Sequence, residues 1–214
     1  MQSPTRVMTV AVALLTASAN AAIVTVQVTG EVESNQISSQ PLSTVTPGSP
    51  ATLTFQVDSN NYVDSPDFPT RGYIIDQSSL SLTFPQTSVG LQNPFPAGET
   101  PYFVLRDNDP AVDGFFIANN TDFYSGLPID QVGIFGNFLN EYHVTYDGGM
   151  LSSLNILDAL GTYDYTDLQV FNWSLDDGPF NPMLINFTQM TITPEPASLG
   201  LVAVALLAAR RRRH

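Results

Sequence analysis

The stretch Leu53-Thr54-Phe55-Gln56-Val57 decides the fold class, because its apolar and polar residues alternate strictly. Successive side chains of a strand point to opposite faces of a sheet, so this pattern buries one face and exposes the other. Similar β-favouring stretches occupy residues 23–32, 73–84, 102–105, 114–118, 132–139, 142–146, 168–175 and 184–192. Together they predict an all-β domain of roughly nine strands.

Turn-forming residues separate these stretches. Residues 46–50, 93–98, 147–149 and 176–179 are rich in Pro, Gly, Asp and Asn, which supply the backbone angles that turns require. Regular alternation of strands and turns predicts one antiparallel β-sandwich or jelly-roll-like domain over residues 22–193. One stretch differs: Leu151, Leu154, Leu157 and Ala159-Leu160 have a spacing that predicts a short helix before Gly161.

The predicted domain is strongly acidic. Residues 22–193 hold nineteen Asp and Glu residues, no Lys, and Arg71 and Arg106 as the only cations, which gives a net charge of −17. Nucleic acids are bound through Lys and Arg clusters that neutralise phosphates, so this charge argues against DNA or RNA as a partner. The chain has no cysteine, which excludes disulfides, thiolate metal sites and cysteine nucleophiles.

The first 21 residues have the pattern of a secretory signal peptide. Arg6 precedes an apolar run over residues 7–15, and Ser18-Ala19-Asn20-Ala21 follows. Small residues at Ala19 and Ala21 form the Ala-x-Ala site at which such signals are cut. We therefore expect export through the secretion machinery, with cleavage after Ala21.

The last 21 residues form a second terminal signal. Pro194-Glu195-Pro196 is followed by a largely apolar run over residues 197–209 and by Arg210, Arg211, Arg212 and Arg213. The run predicts a short helix of about 20 Å, which is shorter than the ~30 Å hydrocarbon core of a bilayer. The arginines should stay on the cytoplasmic side, which puts the acidic body outside.

This tail, residues 194–214, resembles the PEP-CTERM sorting signal of Gram-negative bacteria. The resemblance implies that a membrane enzyme, exosortase, reads the tail, cuts near Pro194-Glu195-Pro196 and releases the protein or attaches it at the cell surface. Thr193 departs from the Val that is common before the first proline. A retained membrane anchor without processing is the alternative.

The resemblance has two further implications. Proteins with such tails are often linked to exopolysaccharide and biofilm matrix. The tail is also similar to a segment named after the C-terminus of ice-binding proteins, which implies sorting rather than ice binding. Within the body, Asp58-Ser59, Asp64-Ser65-Pro66, Gly72-Tyr73 and residues 78–83 resemble a body that recurs with PEP-CTERM tails, which implies a shared β architecture and no site.

Two clusters of acidic residues are candidates for calcium binding. Asp107, Asp109 and Asp113 lie within one predicted loop, and Ca²⁺ prefers several oxygen ligands. The loop lacks the EF-hand pattern, because Ala111 replaces a ligand and no Glu closes it. A weaker cluster contains Asp58, Asn60, Asp64 and Asp67. For both, the alternative is that Asp and Asn side chains stabilise turns.

No catalytic motif is recognised in the sequence. His143 is the one histidine of the body, and it sits in the alternating stretch 142–146 with no Gly-x-Ser-x-Gly sequence in the chain. We expect it to face solvent on a strand. A secreted hydrolase would need a specific carboxylate pair, which nineteen acids do not by themselves identify.

The aromatic residues suggest an interaction role. Tyr62, Tyr124, Tyr146, Tyr163, Tyr165 and Trp173 are candidates to stack on sugar rings, although aromatic residues also fill the cores of β domains. The sequence thus predicts a non-catalytic, exported surface or matrix protein, associated with exopolysaccharide. The alternative is a lectin-like carbohydrate-binding module with a calcium site in a loop.

Overall fold

The computed structural model describes residues 22–109, 111–165, 168–178 and 182–195. The predicted signal peptide with Ala19 and Ala21 lies outside the described residues. So do Pro196, the predicted C-terminal apolar helix and Arg210 to Arg213. In the described part, one 3₁₀ turn at Leu42–Thr44 accompanies twelve β-strands, and no helix there is long and apolar enough to cross a membrane. The prediction of an all-β domain is confirmed.

Most strands follow the β-favouring stretches of the sequence, but the predicted stretch 73–84 divides into two strands and the predicted stretch 132–139 contains a turn over residues 133–136. They are β1 Ile23–Asn35, β2 Pro50–Asp64, β3 Thr70–Ile75, β4 Ser81–Thr83, β5 Ser88–Val89, β6 Tyr102–Arg106, β7 Val112–Ala118, β8 Leu127–Val132, β9 Asn137–Asp147, β10 Gly161–Tyr163, β11 Leu168–Asp176 and β12 Met183–Pro194.

Eight strands close into an antiparallel barrel. Their order is β1-β12-β11-β9-β7-β6-β3-β2, and β2 returns to pair with β1. β1 therefore has a partner on both sides, with Val26 opposite Ile192 of β12 and opposite Phe55 of β2. The predicted sandwich or jelly roll is thus corrected to one closed sheet, which leaves none of the eight strands with a free edge.

The core fills the barrel interior. Val24, Val26 and Val28 of β1 are fully buried, and the intervening residues are half-buried or exposed. The rings of Phe55, Phe103 and Phe115 form a row across the interior, with centroids 5.2 and 5.8 Å apart. Full burial of each such side chain contributes about 1.5–3 kcal/mol, so this core is the main source of stability.

Residues 151–160 do not form the predicted helix. They make a series of turns that brings Ile156 and Ala159 into the core. The buried Tyr73 hydroxyl donates to the Leu154 carbonyl at 2.7 Å and accepts from the Ile156 N–H at 2.9 Å. The Ser153 hydroxyl accepts from the Asn155 N–H at 3.0 Å, and such local bonds compete with helix formation. The apolar spacing therefore reflects packing against the barrel.

A second, small apolar cluster lies on the outer face of the wall. Val104 and Phe116 alternate with residues that face the interior, yet they are also buried. The segment 119–126 covers this face, where the Thr70 hydroxyl donates to the Thr121 carbonyl at 2.6 Å. The barrel thus carries an additional layer over β3, β6, β7 and β9.

Candidate functional site

The sorting sequence begins within the barrel wall. Pro194 is the last residue of β12 and lies opposite Val24 of β1. The Glu195 N–H donates to the Ile23 carbonyl at 2.9 Å. Its carboxylate accepts hydrogen bonds from the Thr25 hydroxyl at 3.1 Å and from the Gln56 amide at 2.6 Å. Two of the three Pro-Glu-Pro residues are therefore bound to β1 and β2.

The start of the body lies at the same end of the barrel. The Ala22 N–H donates to the Ser59 hydroxyl at 3.0 Å, and the Ser59 N–H donates back to the Ala22 carbonyl at 3.0 Å. Ala22 directly follows the predicted signal cleavage site. Ala22 and Glu195 therefore lie at one end of the barrel, on neighbouring strands.

The first acidic cluster forms a turn between β6 and β7. Asp113 is fully buried, and its carboxylate accepts from the Asn108 N–H at 2.9 Å and from the Leu151 N–H at 2.7 Å. The Asp107 carboxylate accepts from the Asn108 side chain at 2.6 Å, and Asp109 lies beside Arg106. Asn108 has a φ of 57°, which Asn tolerates better than most residues. The turn interpretation therefore accounts for these contacts.

The second acidic cluster is also engaged in local contacts. Asp58 accepts from the Asn60 N–H at 2.8 Å, as in an Asx turn. Asp64 forms a two-bond ion pair with Arg71, which raises the pKa of the Arg71 guanidinium above its usual value. Among the described residues, no three His, Asp or Glu side chains come together as a metal site. Calcium binding through Asp107, Asp109 and Asp113 stays a prediction.

His143 does not face solvent as predicted. It lies on the outer face of β9 with 7% of its surface exposed, because the ring of Tyr124 stacks on it at 4.0 Å with an interplanar angle of 21°. Burial and the nearby positive charge of Arg106 lower the pKa of His143 below its ordinary value of 6.5. The imidazole is therefore neutral at pH 7.

A cavity of about 230 Å³ opens beside this stack. Its lining includes Arg106, Gly114, Phe116, Tyr124, His143 and Thr145, and we call it the Tyr124 cavity. The guanidinium carbon of Arg106 lies 5.3 Å from the ring centroid of Phe116, and its Nε lies 3.6 Å from the Asp109 carboxylate. The Tyr124 cavity thus combines aromatic surfaces with a partly neutralised cation.

Two buried nitrogens of the Tyr124 cavity have no hydrogen-bond partner in the described part of the chain. They are Arg106 Nε and His143 Nδ1. Arg106 Nε is a donor, and the neutral imidazole Nδ1 donates or accepts according to its tautomer. Buried polar groups are nearly always hydrogen-bonded in folded proteins, so these two nitrogens are exceptions. Arg106 Nε has the ion pair with Asp109 in place of a hydrogen bond.

The predicted aromatic candidates separate into three groups. Tyr146 and Trp173 are buried in the barrel core, so the prediction that they present rings to sugar is wrong. Tyr163 and Tyr165 are half-buried and pack against that core. Tyr62 and Tyr124 are 41% and 51% exposed. Sequence reasoning missed Arg106 and Phe116, although Arg106 is one of two cations in the body.

Comparison with known proteins identifies the tail. Residues 193–213 match the PEP-CTERM protein-sorting motif, as the sequence predicted. No curated protein and no solved structure matches the chain. The chain is therefore an exported protein that exosortase sorts to the cell surface.

Proposed function

We propose that this exosortase substrate is a non-catalytic component of the cell surface or outer matrix, and that its barrel binds carbohydrate in the Tyr124 cavity. The observation that carries the proposal is the exposed ring of Tyr124 at a cavity whose lining residues Arg106 and His143 each have a buried nitrogen without a hydrogen bond. Sugars offer complementary chemistry, because one face of the ring is apolar and its edge bears hydroxyl groups.

The aromatic part would bind the apolar face of a sugar ring. Tyr124 is about half exposed, and Phe116 lies beneath the cavity among the buried residues of the outer layer. Binding sites for small ligands are typically concave and apolar, with few polar groups that fix orientation. Tyr124 is therefore the residue whose removal should weaken binding most.

The polar part would bind hydroxyl oxygens. Arg106 Nε has an ion pair with Asp109 at 3.6 Å but no hydrogen bond, so a sugar hydroxyl that accepts from it would add the missing hydrogen bond. His143 Nδ1 gives the ligand a second polar contact. Both nitrogens belong to residues that line one cavity, and both are buried, so we expect the side chains of Arg106 and His143 to shift when a sugar residue binds.

The charge of the protein narrows the ligand class. A body of net charge −17 repels anionic polymers, and Asp109 already balances part of the charge of Arg106. Neutral polysaccharide is therefore the better partner. The sorting tail supports the same setting, because it delivers the barrel to the surface where such polymers accumulate.

A binding role agrees better with the cavity than a catalytic one. The carboxylate of Asp109 lies beside the cavity and is paired with Arg106. Glycoside hydrolysis uses two carboxylates, one on either side of the glycosidic bond. His143 is stacked under Tyr124, and its Nδ1 forms no hydrogen bond to a hydroxyl or carboxylate in the described part of the chain, as a catalytic base would.

Affinity electrophoresis of the full-length protein through gels that contain neutral polysaccharide would test the proposal. We expect retardation of the wild type that Tyr124→Ala removes. Tyr62→Ala is the matched control, because Tyr62 has similar exposure and does not line the cavity. Near-ultraviolet circular dichroism would show whether Tyr124→Ala is folded. Equal retardation of the wild type and folded Tyr124→Ala would reject the Tyr124 cavity as the binding site.

A further inference from the structure

We propose that Thr25 and Gln56 hold Glu195 of the sorting sequence against the barrel, so that exosortase gains access only when this contact opens. The three side chains, with the Glu195 backbone bond to Ile23, are called the Glu195 clasp. The inference rests on sorting by exosortase and is independent of carbohydrate binding.

The clasp uses both the side chain and the backbone of Glu195. Thr25 and Gln56 are direct neighbours across β1 and β2, and both donate to the same carboxylate oxygen. The backbone N–H donates to Ile23 at 2.9 Å. Charge-assisted bonds of this kind are stronger than neutral ones, so the half-buried Glu195 is fixed in position.

The residues before Glu195 also have strand partners on both sides. Ile192 pairs with Val26 of β1 and with Gly161 of β10, so β12 has neighbours on both sides at this end. Enzymes that bind an extended peptide commonly do so by pairing with its backbone groups. A backbone group of β12 cannot pair with the barrel and with an enzyme at once, so the end of β12 must separate first.

The barrel and the enzyme also compete for one carboxylate. Glu195 is the charged residue of the Pro-Glu-Pro sequence within the matched motif, and its carboxylate is the acceptor for Thr25 and Gln56. Recognition of that carboxylate by exosortase therefore requires that the bonds to Thr25 and Gln56 break.

The position of β1 in the chain determines when the clasp can form relative to export and processing. β1 starts at Ile23, two residues after the predicted signal cleavage site, and supplies two of the contacts to Glu195. A chain that has not yet folded lacks the clasp and exposes the sorting sequence. Folding should therefore slow processing, and chains that fold before they meet exosortase should be processed through opening of the clasp.

Pulse–chase labelling in a host that contains exosortase, with intact-mass analysis of the product, tests this inference. We expect Gln56→Ala and Thr25→Val to speed tail removal from the folded pool by roughly fivefold, since one lost hydrogen bond changes an opening equilibrium by about that factor. Gln27→Ala is the matched control, because Gln27 lies on the same face of β1 and contacts Thr54 rather than Glu195.

Hydrogen exchange separates this role from a general loss of stability. Gln56→Ala should speed exchange of the Glu195 N–H and leave exchange of the core N–H groups of β1 unchanged. Tail removal at the wild-type rate, or more slowly, in both variants would overturn the clasp as a barrier. A wild-type chain that keeps residues 197–214 throughout the chase would overturn the sorting assignment together with the clasp, whatever the outcome of the polysaccharide test.

Discussion

Replacement of Asp113 by Ala should destabilise the barrel strongly, with or without calcium. The carboxylate is fully buried and accepts two backbone bonds, from Asn108 at 2.9 Å and Leu151 at 2.7 Å. Hydrogen bonds to charged groups contribute about 1.5–3 kcal/mol each. Loss of both should therefore lower the free energy of unfolding by about 3–6 kcal/mol, which corresponds to a Tm decrease of about 6–24 °C for a domain of this size.

Thermal unfolding followed by near-ultraviolet circular dichroism, with calcium or with chelator, is the assay. Asp107→Asn is the control, because the Asp107 carboxylate accepts from the Asn108 side chain and not from a backbone group of the described turn. Surface changes of this kind alter stability by about 0.5 kcal/mol or less. A decrease below about 1 kcal/mol for Asp113→Ala would refute the structural role. Calcium stabilisation of the wild type that Asp113→Ala abolishes would instead support the calcium prediction.

Three further changes test other parts of the structure. Trp173→Phe removes the donor to the buried Asn140 side chain at 2.9 Å and should cost about 2–3 kcal/mol by urea unfolding; a cost under about 1 kcal/mol would contradict this. Gly30→Ala places a methyl group against the Asn186 carbonyl and the Trp173 ring, so a loss of about 1–3 kcal/mol is expected, and unchanged stability would show that the wall adjusts. Because the pKa of His143 is lower in the folded protein, the unfolded state takes up a proton at a higher pH than the folded state does. Stability therefore falls as pH decreases below about 6.5. His143→Gln should reduce this loss in urea titrations at about pH 7.5 and about pH 5.5; an identical pH dependence in both proteins would exclude His143 as its source.

The alternation of apolar and polar residues predicted most of the strands, but it did not predict that the sheet closes into a barrel. The stretch 53–57 is one face-alternating part of β2 in the structure, and residues 23–32 lie within β1. A period of two residues tells which side chains share a face, but it does not tell which strand lies alongside. Closure depends on the pairing of β1 with β12, which joins Val24 and Pro194 from opposite ends of the body.

The two local errors have the same physical origin. The spacing of Leu151, Leu154 and Leu157 was interpreted as helical, but the barrel buries Ile156 and Ala159 through turns. His143 was expected at the surface because it alternates with buried neighbours, and it is covered by Tyr124 from a different segment. In both cases a covering layer, which a short sequence window cannot show, decides burial.

The candidate site was predictable only in its terminal part. Pro194-Glu195-Pro196 with the arginine cluster identified sorting, because such an address is encoded in contiguous residues. The Tyr124 cavity is assembled from β6, β7, β9 and the segment 119–126, so its members are separated along the chain. The rarity of cations in the body is the one sequence signal that could have pointed to Arg106.

The direct passage from β12 into the tail has a mechanical consequence. If the C-terminus is joined to the cell surface and the barrel is pulled by a bound polymer, tension enters the protein at Pro194, along the axis of β12. The hydrogen bonds from β12 to β1 run perpendicular to that axis and extend from Pro194 to Met183, so they share the load rather than break one after another. Detachment of the protein from the cell under shear then depends on the unfolding rate of the whole barrel. The paired strands β1 and β12 carry the force between the polymer and the cell.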